Sequence, residues 1–590
     1  MNNRKSVRPA LLVGFVLLVA YCAAAWLAPG TFFPFGSNRM HVLPDHTPAL
    51  VHDSKLVKHA DADARIRFVV ALKLRDEADL DALLDEQSDP ASQHYRQYLT
   101  ADQFRERFSP RTADVDRVVA YLTGHGMSIL EVSENYTLIH VEASVSQIEK
   151  AFSVQMNRYS TVRRADGRLV EYLGNAGDPS VPVTLESAVQ AIIGLNTYVE
   201  FESRVRHPRG PVNPGSKVTP RGMTPQDVAR VYDYPNANND RATAPLSGAG
   251  RTIAIATAHV YDQNDIDTFW QQFGIVRTGK LTNVYIGGVS TTVNEETTLD
   301  LEAASSQAPG ADIIMYMAVD PKFVNFTLAF NKIVTDDKAD VMSISWGLCE
   351  DFTGSRQMKA EHNIFKQAAA QGMAVFAASG DDGAYDCPTE PELDDNGKPK
   401  TPPLAVDYPS SDPYVTAVGG TTLFDGQGRR FSESAWHGSG GGYSGKWKRP
   451  SWQTGPGVPT GKYRATADVA LNADPMTGYA IYVNGKWIVL GGTSVAAPEW
   501  AALWTLIDEA AGKRIGMPDE ILYRAGASPE YGTIFYDITS GNNGDYRGPG
   551  YNAGPTWDHP TGWGVPQGQA LKDWIVKDLV KGQKPNPSGN

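Results

Sequence analysis

The sequence predicts two folded units of different class: an α+β unit in its first third, then a larger α/β domain with a doubly wound, mainly parallel sheet. Three observations predict this. At 590 residues the chain exceeds what one core fills. The apolar rhythm changes along it, from strands and helices that alternate with turns to short, continuously apolar strands interleaved with longer helices. Between the two lies a stretch without apolar periodicity, carrying Arg204, Arg206 and Arg209 with Pro208, Pro211, Pro214 and Pro220. A composition of 42% hydrophobic and 21% charged residues excludes a disordered, collagenous or multi-span membrane chain. The formal charge of −13 repels nucleic acid.

Taken in order, Arg4, Lys5 and Arg8 precede an uncharged, mostly apolar run at 10–28. This is an export segment, read either as a cleaved signal peptide, with Ala23, Ala24 and Ala25 near the cut, or as a retained membrane anchor. The product is extracellular or periplasmic. Cys22 follows the bulky Tyr21 and reads as apolar filling. Cys349 and Cys387 are then the sole pair in the exported part, forming either one disulfide or two separate buried thiols.

The first unit covers 47–198, with a strand at 66–74, helices at 77–86 and 112–123, strand and turn at 127–141, and a helix at 145–152 leading into a strand at 154–161. Residues 199–222 form an exposed linker suited to proteolytic processing. The second unit covers 223–575. Strands are predicted at 252–257, 312–318, 341–346, 373–378, 414–418 and 487–490, and helices at 296–307, 359–371 and 495–511. Ligands of such a sheet bind beyond the carboxyl ends of its strands, where Gly-rich turns stand at Ser345-Trp346-Gly347, Ser379-Gly380-Asp381 and Gly491-Gly492-Thr493-Ser494.

Ser494, in the first turn of a helix after a glycine turn, has an exposed hydroxyl and the positive end of the helix dipole, which suits a nucleophile; alone, it would equally serve as an N-cap. No His stands at a helix start to act as its base, and His259, His362, His437 and His559 read as loop or surface residues. Glu296 and Asp300 lie four apart on one helix face, where mutual repulsion raises one pKa and lets the pair work as acid and base in mildly acidic solution; otherwise they form a solvated acidic face. Asp381, protonated, can donate to an oxyanion, or can cap a turn.

Glu296 with Asp300, Asp381 in Ser-Gly-Asp, and Ser494 in Gly-Gly-Thr-Ser-x-Ala-x-Pro resemble the sedolisins, the serine-carboxyl peptidases, over about 69–568. The segment His94-Tyr95-Arg96-Gln97-Tyr98-Leu99-Thr100, with Gln103-Phe104, resembles their activation prodomain. The resemblance implies a subtilisin-like catalytic domain behind an α+β, ferredoxin-like prodomain that acts as an intramolecular inhibitor until acid releases it, with a mature chain beginning near Thr219. It implies Ser494 as nucleophile, Glu296 as general base and acid, Asp300 as its tuning partner and Asp381 as the oxyanion donor. Trp346, Gly347 and the glycines Gly440, Gly441 and Gly442 are the implied substrate-binding residues. One structural calcium ion is implied, on the carboxylates of Asp537 and Asp558 and the carbonyls of Ile538, Gly554 and Thr556, an all-oxygen set. The expected partners are protein or peptide substrates, and the enzyme is expected to be a monomer.

Two departures stand out: Ala467 where the family carries Pro, and Thr257 where some members carry a further Glu. The alternatives are an Asp/His/Ser protease of the subtilisin type, an inactive peptidase scaffold that only binds, and a structural cell-surface protein. The sequons at Asn135 and Asn325 matter only in a host that glycosylates.

Overall fold

Strand Arg65–Leu72 (β1) is an inner strand of the first unit's four-stranded sheet and carries its logic in its burial. Phe68, Val70 and Leu72 face the unit's own helices, while Val69 and Ala71 face away into a second core. Helices Glu77–Ser88 (α1) and Thr112–Gly124 (α2) follow, then strands Ser128–Val132 (β2) and Leu138–Ser144 (β3), helix Val145–Phe152 (α3) and strand Val189–Ile193 (β4). The single strand-and-turn expected at 127–141 is thus a hairpin, turning at Tyr136 with φ 61°. A capping box starts α3, the Ser144 side chain accepting from the Gln147 amide. The antiparallel order β2-β3-β1-β4 with two helices on one face is the ferredoxin-like arrangement.

This computed structural model describes residues 39–47, 49–162, 168–208, 222–387, 401–425 and 429–582. The export segment at 10–28 and the linker portion 209–221, with the expected mature start near Thr219, lie outside the described residues. Among the described residues no helix is long and apolar enough to cross a membrane.

After the linker strand Glu202–Ser203 (β5), the second unit builds its sheet from Thr252–Ala258 (β6), Leu281–Ile286 (β7), Asp312–Ala318 (β8), Val341–Ile344 (β9), Ala374–Ala378 (β11) and Thr416–Asp425 (β13), with Trp346–Cys349 (β10) and Asp407–Tyr408 (β12) set apart in a small three-stranded sheet with β5. The main order is β7-β8-β6-β9-β11-β13, all parallel, closed by antiparallel Arg430–Ala435 (β14), while Val469–Asn472 (β15) pairs parallel with β13. Ile-Ala-Ile-Ala in β6 is buried on both faces, as a central parallel strand must be. Helices Glu295–Gln307 (α4) and Thr493–Ala511 (α7) cover one face, and Phe323–Asp336 (α5) and Ser355–Ala370 (α6) the other.

Two expectations need correction. The strand at 487–490 is outside the parallel sheet: Lys486–Leu490 pairs antiparallel with Tyr479–Val483 through Asn484-Gly485, both at positive φ, as a two-residue hairpin turn requires. His362 is no loop residue; it lies on α6, buried, its Nδ1 2.8 Å from Asp412 Oδ2, and His559 is buried too.

The outer face of the first unit's sheet joins the α5/α6 side of the peptidase: Val69, Ala71, Leu138, Ala191 and Ile193 share one apolar cluster with Phe323, Phe330 and Phe365. Buried polar pairs fix the register. Asn135 Nδ2 donates to Asn331 Oδ1 and Gln367 Oε1, both at 2.8 Å. Tyr98 donates to the Ile515 carbonyl at 2.8 Å, and its ring fills space that a side chain at Gly372 or Gly516 would occupy. Asn135 and Asn325 are both buried, so neither sequon is open to modification in the folded chain.

Candidate active site

Asn294 caps α4, its side chain accepting from the amides of Glu296 and Thr297. Every residue from Glu296 to Gln307 is buried, because α4 is wedged between the sheet, α7 and the Tyr479–Val483 hairpin. The acidic face of this helix is therefore not solvated. Glu296 and Asp300 are 1% and 0% exposed. Burial is the main cause that pushes both carboxyls above their ordinary range, and the charge of Glu296 adds to the rise at Asp300.

Ser494 lies in the first turn of α7, after Gly492 at φ 105°. Its Oγ donates to Glu296 Oε2 at 2.7 Å. Asp300 is tied to the same residue by a different route: Ser345 Oγ donates to Asp300 Oδ1 at 2.5 Å and lies 3.1 Å from the Ser494 carbonyl. Asp381 follows β11, and Thr493 anchors its Oδ1 through both amide (2.7 Å) and hydroxyl (2.8 Å). Oδ2 has no hydrogen-bond partner, so a proton on it has a free direction in which to donate. Burial raises this carboxyl, opposed by Arg206.

The linker fills the cleft between these groups. Its strand β5 pairs antiparallel with β10, Ser203 opposite Trp346 and Glu202 opposite Gly347. The Arg204 amide donates to the Ser345 carbonyl at 3.1 Å, the oxygen that also lies 3.4 Å from Ser494 Oγ. Arg206 then exchanges two backbone hydrogen bonds with Gly491, at 2.8 and 2.9 Å. A Cβ at Gly492 would collide with the Arg204 carbonyl oxygen and lie 2.7 Å from Asp381 Oδ2. The carbonyl of Arg204 and Oδ2 of Asp381 thus both lie beside the turn that carries Ser494, and the chain lies across the site as a peptide substrate adds a strand.

The Arg204 side chain, 1% exposed, enters a pocket between Asp407 Oδ2 (2.6 Å from Nε) and Asp386 Oδ2 (3.8 Å from Nη2). Sequence reasoning gave the linker no role inside the site and singled out none of Ser203, Asp386 or Asp407; the two arginines in Arg204-Val205-Arg206 were the available signal. Trp346 and Gly347 receive the linker strand. Gly440 and Gly441 have other neighbours, since a side chain there would collide with the carbonyls of Ser379 and His559. Thr257 accepts the Trp346 indole N–H at 3.1 Å and lies 2.9 Å from Thr297 Oγ1, a hydroxyl link beneath α4. The Thr466–Ala467 peptide is cis. Cys349 and Cys387 are joined by a disulfide, Cα–Cα 5.1 Å.

At the C-terminal loop, Asp537 Oδ2 accepts from the Thr556 amide and Asp558 Oδ2 from the Gly554 amide, both at 2.9 Å. Asp537 Oδ1 is buried without a partner. Two carboxylates converging on one loop, one with an orphaned oxygen, fit a hard cation in their donor chemistry.

Comparisons with known proteins agree with this geometry. The Pro-kumamolisin activation domain matches residues 52–198, and the Subtilase family of peptidases matches residues 284–525. Sedolisin of Pseudomonas sp. (strain 101) is 31% identical over 91% of this chain and 93% of its own length. Kumamolisin of Bacillus sp. (strain MN-32) is 32% identical over 88% and 93%. The solved structure of Pseudomonas sedolisin, a serine-carboxyl proteinase complexed with pseudo-iodotyrostatin, superposes with a TM-score of 0.53 at 32% identity, over 61% of this chain and 99% of that one. With a peptidase domain of subtilisin-like fold behind an activation domain, and a serine hydroxyl bonded to a buried glutamate, the chain belongs to the sedolisin family of serine-type peptidases.

Proposed function

We propose that the chain is an exported, acid-acting endopeptidase made as a zymogen, in which Ser494, Glu296 and Asp300 form the catalytic triad and Asp381 stabilises the oxyanion. The hydrogen bond from Ser494 Oγ to Glu296 Oε2 carries this reading, since it gives the nucleophile a carboxylate base where a serine protease of the Asp/His/Ser type has an imidazole. Glu296 takes the Ser494 proton as the hydroxyl attacks the substrate carbonyl and returns it to the leaving amine. Asp300, held by Ser345, fixes the charge balance around Glu296. Protonated Asp381 donates from Oδ2 to the developing oxyanion, which ties activity to acidic solution.

Export rests on the basic residues and apolar run at the N-terminus and is consistent with the disulfide. The same reading gives a calcium ion a structural place on Asp537 and Asp558 with the carbonyls of Ile538, Gly554 and Thr556. Its charge would neutralise the two carboxylates and brace the C-terminal loop. Chelation should then lower the thermal midpoint, and added calcium restore it.

The test is to express residues 29–590, as wild type and Ser494→Ala, and follow intact mass as the pH is lowered from about 7 to about 4. Loss of the prodomain by the wild type alone, followed by cleavage of a denatured protein, supports the reading. A wild type that stays whole and inert, even after limited cutting by another protease, refutes it.

A further inference from the structure

Arg204 presents an unusual balance of charge. Its guanidinium meets the exposed Glu202 at 3.5 Å on one side and on the other is buried with two carboxylates whose side chains are 0% exposed; three of their four oxygens, both of Asp386 and Oδ1 of Asp407, have no hydrogen-bond partner. The backbone around them is cut to fit. A Cβ at Gly347 would lie 2.5 Å from Asp407 Oδ1, and one at Gly380 would lie 2.7 Å from Asp386 Oδ1. Gly347 is in the strand that holds the linker and Gly380 precedes Asp381, so the acidic pocket is continuous with the catalytic groups. Two buried carboxylates side by side are costly without a cation. Once the prodomain and Arg204 leave, the pocket demands another cation of the same reach, and a planar fork meets two carboxylates at once better than the point charge of a lysine. On the far side of the bond, Arg206 lies 3.3 Å from Asp382 and 3.6 Å from Asp381, but its own guanidinium is about a third exposed, where an ion pair adds little. Selection therefore resides in the buried pocket.

We propose that Asp386 and Asp407 make this peptidase select arginine on the amino side of the scissile bond, and that Arg204–Val205 is the first bond it cuts. The proposal rests on Ser494 being the nucleophile. In the cut, Ser494 Oγ bonds to the Arg204 carbonyl carbon and its proton passes to Glu296. The C–N bond to Val205 breaks as that proton moves to the departing amine. Water then hydrolyses the ester, leaving a carboxyl group on Arg204 and a free amine on Val205.

Four internally quenched peptides that differ at one position test this, carrying arginine, citrulline, lysine or norleucine before the scissile bond, together with sequencing of the first new N-terminus formed by the acidified precursor. Citrulline keeps the shape of arginine and removes its charge. Arginine should exceed citrulline by about 100-fold in kcat/KM, as expected for loss of a buried charged partner. Asp407→Asn should shrink that ratio to a few-fold, and the first N-terminus should be Val205. Should that variant fail to fold, the citrulline comparison on the wild type decides alone. Equal cleavage of arginine, citrulline and norleucine peptides, or a first cut elsewhere in a fully active enzyme, overturns the arginine pocket and leaves the peptidase reading intact. A wild type that cuts no peptide and no denatured protein overturns both.

Discussion

Ser203 donates its hydroxyl to Glu296 Oε2 at 2.5 Å, the same oxygen that accepts from Ser494 at 2.7 Å. In the precursor the proposed base thus serves two hydroxyls, and one of them belongs to the linker segment that lies across the site. A second donor to a carboxylate stabilises its charge and lowers its basicity. Ser203→Ala should accelerate self-processing by about three- to tenfold, the range of one typical intramolecular hydrogen bond. Because Ser203 leaves with the prodomain, kcat/KM of the mature enzyme should be unchanged; the two rates are read by intact mass and by peptide assay.

Asp381 should set the alkaline limit of activity. Burial raises its carboxyl above 3.8, so the group is protonated and able to donate below that raised value and loses its donor as the pH climbs through it. Asp381→Asn carries an N–H that does not titrate, so its alkaline fall should move to higher pH. Asp381→Ala should lose about 100- to 1000-fold in kcat, the usual effect of removing one oxyanion donor. PH profiles of kcat for both variants check this.

Glu361 should make the fold more stable in acid. It is buried on α6, Oε1 accepting from Thr327 (2.7 Å) and Gln357 (2.6 Å), and desolvation pushes its carboxyl to about 8. A raised carboxyl pKa means that the folded state holds the proton more tightly than the unfolded chain. The stabilisation is therefore complete below about 4.5 and is lost as the pH rises towards 8, at up to about 1.4 kcal/mol per pH unit. Glu361→Gln should flatten that dependence, as measured by urea unfolding of the inert Ser494→Ala precursor.

Tyr98 should govern how firmly the prodomain is held. Its ring occupies room left by Gly372 and Gly516, and its hydroxyl reaches the Ile515 carbonyl. Tyr98→Ala removes a half-buried aromatic contact, at a cost of about 2 kcal/mol, below the range for a fully buried ring. The pH midpoint of processing should rise, and the precursor should become more susceptible to an added protease at neutral pH.

The sequence made the proposed catalytic groups legible because each sits in a local signature: Ser494 after a glycine turn, Glu296 and Asp300 one helical turn apart, Asp381 after an apolar strand. The strand rhythm likewise located most of the parallel sheet. What escaped depends on distant partners. Arg204 looked like a solvent-exposed linker charge because its counter-ions, Asp386 and Asp407, are 182 and 203 positions away and no local pattern predicts their convergence. His362 looked superficial for the same reason, with Asp412 supplying its burial partner from 50 residues on. The hairpin around Asn484-Gly485 had a readable turn signal, but the apolar run at 487–490 matched a parallel strand equally well by itself.

The bridge between Cys349 and Cys387 adds a chemical lock to the arginine pocket. Cys349 ends the strand that pairs with the linker, and Cys387 directly follows Asp386, so that strand and one acidic wall are a single covalent piece. The bond spans 38 residues, and closing a loop of that length is worth roughly 4 kcal/mol of chain entropy. A reductant would free that wall while leaving Ser494, Glu296 and Asp381 in place, so thiol treatment should blur which bonds are cut before it stops cutting altogether.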